Sequence, residues 1–272
     1  MEHVVLITGC SSGIGRATAR GFLAEEWTVV ATARNTDDIE DLAELGCETA
    51  ALDVTKPAQC QNVVEDVVDE HGRLDCLVNN AGYAQFGALE DIPTRRVHRQ
   101  FDVNVYGPHR LMRAALPHMR RRENGTIVNV SSAAGRAAFP GMGAYCATKF
   151  ALEAMTDAVR GEVDAMGIDA VLVEPGPVAT QFTERAQSEL EPIDSTGAYD
   201  HIYSFFDDYA SIDGAFASDP EDVAAVIVNA ASATEPRARY PVGMGGRLAG
   251  YARFLPDSIR DAGLRLLVRL AQ

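Results

Sequence analysis

Lysine is nearly missing from this chain: of 24 basic residues only Lys56 and Lys149 are lysines, and the rest are arginines. Acidic residues number 39, which leaves a formal charge of −15 at pH 7. A chain so short of positive charge is not built to hold a phosphate backbone, and nucleic acid is excluded as an expected partner. No apolar run approaches the roughly 18 residues of a membrane-spanning helix. Met1-Glu2-His3 is not the basic start of a signal peptide, and a cytoplasmic protein is expected. Cysteine is scarce and odd in number. Cys10, Cys47, Cys60, Cys76 and Cys146 form no C-x-x-C pair, so they read as small buried apolar residues in a reducing compartment. His98, His109 and His118 lack acidic partners at ligand spacing, and no metal is expected. Internal repeats and low-complexity linkers are also absent. The 272 residues read as one large domain or two small ones, long enough to bury a full core.

What is present is an alternation of short apolar runs and helical spacing. Val4–Thr8 is a β-branched run that ends in glycine and predicts a central strand. G-C-S-S-G-I-G over 9–15 follows at once, then a helical stretch from Arg16. Glycines at 9, 13 and 15 permit a tight turn and a close approach of backbone to a pyrophosphate, with a helix N-terminus supplying N–H groups to that anion. Ser11 and Ser12 add donors. Trp27–Ala33 predicts the second strand, and Arg34 closes it where a ribose-binding carboxylate would stand; the first acid is Asp37. An arginine there pairs with a 2′-phosphate that a carboxylate would repel. This points to NADP(H) rather than NAD(H), the alternative being a surface arginine at a strand end.

The third strand is expected over 50–54, where Asp53 either accepts from an adenine amino group or serves as turn chemistry before the next helix. A helix over 60–70 leads to a strand over 74–79 that ends in Asn79, Asn80, Ala81 and Gly82, able to pin neighbouring strands or contact the cofactor. Residues 94–121 predict helix, with Asn104 inside it as a plain polar residue or as a device that opens the backbone to water. The run 126–131 predicts a buried strand, 145–166 a helix stopped by Gly167, and 168–174 the sixth strand before a rigid P-G-P turn. Residues 183–217 are acidic with interleaved aromatics, suiting a substrate lid or an oligomer contact. A helix from Pro220 and an edge strand over 238–243 follow. The Arg-rich extension over 244–272 caps the pocket, builds a dimer or lies on a membrane surface.

The chemistry is concentrated between Ser132 and Lys149. Tyr145 and Lys149 are four apart and share a helix face. Ser132 lies at the end of the preceding strand, so hydroxyl, phenol and ammonium enter one cleft. A phenol has an ordinary pKa of about 10. A neighbouring Lys⁺ is expected to lower it toward the range where proton transfer is useful, with Ser132 holding a substrate oxygen.

With these residues in place, the chain closely resembles the short-chain dehydrogenase/reductase family. The motifs that carry the resemblance are T-G-C-S-S-G-I-G (8–15), D-V (53–54), N-N-A-G (79–82), Asn104, Ser132, Y-C-A-T-K (145–149) and P-G-P-V-A-T (175–180). It implies a Rossmann-type, doubly wound α/β fold, with a parallel sheet of seven strands in the order 3-2-1-4-5-6-7. It also implies a catalytic tetrad of Asn104, Ser132, Tyr145 and Lys149. Asn104 would hold a water in a proton relay, and Lys149 would also bond the nicotinamide ribose. Cofactor contacts are implied for Gly9, Ser11, Ser12, Gly13, Ile14, Gly15, Arg34, Asp53 and Val54. They continue at Asn80, Ala81, Gly82, Tyr145, Lys149, Pro175, Gly176, Val178 and Thr180. A-T-A-R at 31–34 and the basic C-terminal extension look like the hydroxysteroid/retinol dehydrogenase-like branch, which suggests a bulky apolar alcohol or ketone. The expected function is NADP(H)-dependent hydride transfer at a carbonyl or secondary alcohol, in a homodimer or homotetramer. A non-catalytic NADP(H)-binding sensor or scaffold on the same fold is the rival, since fold does not set function.

Two readings of the acidic, lysine-poor composition stay open: adaptation to a high-salt cytoplasm, where charge keeps proteins soluble, and GC-rich codon usage in an ordinary acidic protein. The salt reading expects activity and melting temperature to hold or rise in molar KCl. Maxima in dilute buffer that decline in molar KCl select the other.

Overall fold

The structure is a computed structural model that describes residues 3–180, 196–204, 217–252 and 254–270. Seven strands form one sheet: β1 (Val4–Thr8), β2 (Thr28–Ala33), β3 (Glu48–Ala51), β4 (Cys76–Asn79), β5 (Gly125–Val130), β6 (Ile168–Pro175) and β7 (Arg239–Val242). Their spatial order is β3-β2-β1-β4-β5-β6-β7, and every pairing is parallel. Parallel neighbours need crossovers, which the helices supply. These are α1 (Gly13–Ala24), α2 (Glu40–Glu44), α3 (Pro57–His71), α4 (Thr94–Phe101), α5 (Gly107–Arg122), α6 (Gly143–Val163), α7 (Pro220–Ser232), α8 (Gly243–Ala252) and α9 (Asp257–Leu270).

Strand periodicity divides the core in two. Val5 and Ile7 of β1 join Val29, Val128, Val171 and Val173 against Phe22 of α1 and Ile227 of α7. Val4 and Leu6 turn the other way, with Val30, Leu77 and Ile127, onto Val63 and Val64 of α3 and Leu111 and Met112 of α5. Both faces are covered, which is why the strands read as continuous apolar runs rather than alternating ones. All five cysteines are buried and free.

Element boundaries shift by a few residues from expectation, with local causes. Strand β3 stops at Ala51, because Asp53 turns the chain: its Oδ1 accepts from Thr55 N at 3.0 Å and Thr55 Oγ1 at 2.8 Å. Helix α3 then opens at Pro57, whose missing N–H is no loss at a first helical position. Gly167 ends the helical stretch after α6 at φ +66°, a left-handed conformation that its close approach to the Glu123 carbonyl leaves to glycine alone. The expected helix over 94–121 is present but is broken by a π turn over Asp102–Tyr106, where Gly107 N–H reaches back to the Asp102 carbonyl. Residue 108, the ordinary i+4 donor to the Asn104 carbonyl, is proline and has no N–H. Of the expected lid over 183–217, residues 196–204 and 217 are described and the remainder lies outside the described residues. Among the described residues no helix is long and apolar enough to cross a membrane.

A buried amide couples the sheet to α6. Asn129 of β5 accepts from Asn79 Nδ2 of β4 at 2.8 Å and donates to Thr156 Oγ1 of α6 at 2.8 Å. Asn129→Ala leaves buried partners unmet and opens a small void, at a cost of about 2–4 kcal/mol. A fall of that size in urea-denaturation free energy is expected, and a change within error would mean that the ladder is not holding α6.

Candidate active site

The loops at the C-terminal ends of β1, β4, β5 and β6 meet in one cleft, the place where open parallel sheets take their ligands. The glycine loop after β1 is pinned from β4. Asn80 Nδ2 donates to Thr8 O at 2.9 Å and to Gly9 O at 3.2 Å, and the N–H groups of Asn80 and Ala81 both donate to Thr8 Oγ1 at 3.0 Å. Asn80 thus pins the glycine loop to the end of β4. Gly9 (φ +75°) and Gly13 (φ +54°) are left-handed. A Cβ on Gly9 would come within 2.9 Å of Ala81 Cα, and one on Gly15 would strike the Gly9 carbonyl and lie 2.5 Å from Asn80 Nδ2. Ser12 precedes α1 in extended conformation and its side chain does not cap the helix, whose N-terminal N–H groups suit an anion. This cradle, with Ser11 and Ile14 beside it, suits the pyrophosphate of a dinucleotide.

Arg34 is exposed at the end of β2 with no acid beside it in sequence, as expected. Asp53 is half-buried in its turn: burial raises its carboxyl, but the Thr55 hydrogen bonds, Lys56 and Arg34 bring it below the usual carboxylate range. The charge of Arg34 thus reaches Asp53 across the same strand ends. Val54 is buried, and its carbonyl accepts from Arg110 Nη1 at 3.0 Å. Gly82 lies beside Asn104, with 3.2 Å from its would-be Cβ to Asn104 Oδ1. The P-G-P segment after β6 is tied down by Gly176 N→Val242 O and by Val178 bridging to Ser218, while Pro175 is the last residue of β6. Thr180 ends against Gly13, its Cγ2 2.9 Å from where a Cβ would sit, so the two loops close on each other. Helix α8 packs on this turn through Gly245 and Gly246, while Met244, Leu248 and Tyr251 face outward and are exposed.

Of the four expected catalytic residues, Ser132, Tyr145 and Lys149 converge, and Asn104 meets the same helix at Thr148. Tyr145 and Lys149 are each 6% exposed, on the first two turns of α6. Lys149 Nζ donates to Val130 O at 2.8 Å and lies 5.8 Å from the centroid of the Tyr145 ring. Ser132 Oγ accepts from Ala134 N at 3.1 Å, which leaves its own proton for the Tyr145 oxygen, its side-chain partner. Asn104 is pinned at both ends: Oδ1 accepts from Tyr83 N (3.1 Å), and Nδ2 donates to Tyr83 O (2.9 Å) and Thr148 Oγ1 (3.1 Å). Its side chain is thereby spent on structure, joining the π turn to α6 and to the loop after β4.

Charge tuning differs from the simple expectation. Burial pushes the Tyr145 phenol upward, the hydrogen bond from Ser132 opposes this, and the net effect within the protein is upward. Burial pushes Lys149 down to about 8, against the pull of Glu153. The lysine does not by itself bring the phenol toward neutrality, because its ammonium is turned to a backbone carbonyl and the ring lies in an apolar wall. Ala84, Phe86, Ala134, Cys146 and Ile202 form that wall, with Phe139, Met142 and Phe150 packed on it.

Several residues at the site were not singled out from the sequence. Thr148 lies inside Y-C-A-T-K and could have been found, since i+3 from Tyr145 faces the same side. Glu153, Glu174, Arg136 and Arg239 are far apart in sequence and meet only in the fold. Away from the cleft, Glu48, Glu70 and His71 bring three possible ligand atoms within 4.8 Å of one another.

Residues 3–191 match the short chain dehydrogenase family. The chain belongs to that family. Among curated relatives, the uncharacterized oxidoreductase YbbO of Escherichia coli K12 is 35% identical over 246 residues, covering 89% of this chain and 86% of that protein. An NADPH-dependent 3-dehydrocapnine reductase of Ornithobacterium rhinotracheale is 31% identical over 271 residues, covering 96% and 95%. A crystal structure of a short-chain dehydrogenase from Streptomyces avermitilis superposes with a TM-score of 0.84 at 34% identity, over 99% of this chain and 97% of that one. ElxO with NADP bound gives 0.74 at 29%, over 88% and 96%. A Burkholderia phymatum family member in complex with NAD gives 0.77 at 24%, over 88% of each chain, a likeness of fold alone. The chain is thus an oxidoreductase of the short-chain dehydrogenase family with the sheet order its motifs imply. The hydroxysteroid/retinol branch receives no separate support.

Proposed function

We propose that this short-chain dehydrogenase uses NADP(H) to interconvert a carbonyl and a secondary alcohol on an apolar substrate. The observation that carries the reading is the convergence of Ser132, Tyr145 and Lys149 in one buried cleft beside the glycine cradle. Arg34, at the end of β2 with no carboxylate beside it in sequence, favours a 2′-phosphate over a free 2′-hydroxyl. The NADPH-dependent relative and the NADP-bound neighbour support the same choice. The apolar wall around Tyr145 favours an apolar substrate.

The cofactor supplies the hydride when bound; the chain supplies position and protons. Gly9, Gly13, Gly15 and the start of α1 would hold the pyrophosphate, Arg34 the 2′-phosphate, and Val178 and Thr180 the nicotinamide end. Ser132 holds the substrate oxygen. Tyr145 gives that oxygen a proton in reduction and takes one in oxidation. Lys149 contributes positive charge behind the phenol. Because burial holds the phenol proton firmly, Tyr145 is protonated and ready as an acid at neutral pH, and oxidation needs additional positive charge in the cleft. Asn104, locked between Tyr83 and Thr148, holds the π turn open beside this group.

Following NADPH consumption against a panel of aldehydes, ketones, ketosteroids and retinal tests the reading, with NADH in parallel. Turnover with NADPH preferred supports it; silence across the panel together with tight NADPH binding supports the non-catalytic sensor. Tyr145→Phe is expected to lower turnover roughly 10²–10⁴-fold with NADPH binding retained, and near-wild-type turnover would refute the proton-transfer role. Arg34→Asp removes charged hydrogen bonds and is expected to lower the NADPH/NADH ratio in kcat/KM at least about tenfold. An unchanged ratio would overturn the choice of NADP(H).

A further inference from the structure

Beneath Lys149 lies a cluster of buried charge that the chemistry above does not use. Glu153, one turn along α6 from Lys149, is 3% exposed, and Glu174, near the end of β6, is 2% exposed. Arg239 Nε, from β7, is 3.2 Å from Glu153 Oε2 and 3.2 Å from Glu174 Oε1. Arg136, from the turn after β5, lies 3.8 Å and 3.7 Å from the same two groups. Asp157, on the next turn of α6, takes Arg239 Nη2 at 2.6 Å and Arg160 Nη1 at 2.9 Å. Ser131 Oγ and Glu153 both pack against Gly135, 2.7 Å and 3.3 Å from where its Cβ would be.

The two carboxyl groups close on one guanidinium nitrogen, Arg239 Nε, at 3.2 Å each, and so lie side by side. Ionised carboxylates only accept, so a hydrogen bond between the two side chains requires a proton. Glu153 Oε1 and Glu174 Oε1 are both buried oxygens that receive no hydrogen bond. One proton held between the side chains supplies what they lack. Repulsion works in the same direction, since like charges side by side in a buried site do not readily both ionise. Burial and then Glu153 push the Glu174 carboxyl well above the usual carboxylate range, against the pull of Arg136 and Arg239. Lys149 is under the opposite pressure, with burial driving off its proton and Glu153 opposing that loss.

We infer that Glu153 and Glu174 form a proton-sharing carboxyl pair that sets the charge of Lys149. As pH rises the pair releases its proton to solvent, and the added negative charge beneath the lysine holds the ammonium that burial would otherwise discharge. The charged groups facing the pair are Lys149 and Asp157 of α6, Arg136 and Arg239. Helix α8 meets Glu174 with the backbone of Gly246, and α7 packs on the opposite face of the sheet with Val223 and Ile227. Both glutamates are positioning residues that act through Lys149. The catalytic consequence rests on the role proposed above for Lys149; the titration of Lys149 does not.

The scarcity of lysine makes a direct test possible. Protein labelled with [ε-¹³C]lysine has two signals, and Lys56 serves as an exposed reference. In wild type the Lys149 signal should titrate well below that of Lys56. In Glu153→Gln its midpoint should fall by about one further pH unit, because the nearer negative charge is gone. Glu174→Gln, which leaves one carboxylate beside the lysine, should move it by less than half as much, and Glu153→Asp should restore it. An unchanged midpoint in Glu153→Gln, or equal shifts in the Gln variants, would overturn the inference. Infrared spectra of wild type at neutral pH provide a check independent of whether Glu153→Gln folds: a protonated-carboxyl band lost in Glu174→Gln is expected, and its absence from wild type refutes the shared proton. If Lys149 titrates as stated while the substrate panel stays silent, the pair stands and the enzymatic reading fails; with turnover, the alkaline limb of kcat/KM should follow the Lys149 midpoint.

Discussion

An ammonium group held almost wholly out of water must be met by acceptors and counter-charge, and the cleft is arranged around that demand at Lys149. The Val130 carbonyl at the end of β5 takes one of its protons, the Tyr145 ring lies beside it, and Glu153 answers its charge from below. Each of these partners depends on a different element. The carbonyl is free because β5 has ended, the ring is placed by one turn of α6, and Glu153 tolerates burial only because Arg136 and Arg239 close on it from elsewhere. Remove the sheet order and none of these groups meet.

The same logic holds the cofactor side together. Asn80 spends its amide on the loop after β1, and Asn129 spends its own between β4, β5 and α6. Polar side chains buried between strands are costly unless fully met, and here they tie the strand ends together so that the glycine cradle and the Ser132–Tyr145–Lys149 group keep a constant relation. The π turn at Asn104 serves the same end, tying the α4–α5 junction to α6 and to the loop after β4 through one amide.

Much of this was legible in advance because it is local. Strand runs, the glycine spacing, Gly167 and the four-residue step from Tyr145 to Lys149 act within one or two turns of chain. Asp53 was harder: it reads as an adenine acceptor or as turn chemistry, and the Thr55 hydrogen bonds show the turn without bearing on the adenine. The expectation that Lys149 lowers the Tyr145 pKa meets an opposing push from burial, because spacing tells which face two residues share and says nothing of how deeply that face is buried or where the ammonium points.

By itself the amino-acid order determined the alternation of strands and helices, the cradle at 9–15, the arginine in place of an acid at 34, and the set of reactive side chains. These follow from short-range sterics, periodicity and side-chain chemistry. Only the tertiary structure decided which distant groups became neighbours. Glu153 of α6 and Glu174 of β6 look like an ordinary helix acid and a strand-end acid; parallel pairing of β5, β6 and β7 places them on one pair of arginines, and exclusion of water there turns two unremarkable carboxylates into a coupled pair. Burial is a property of the assembled chain, and the ionisation of Tyr145, Lys149 and Glu174 is governed by burial before anything else.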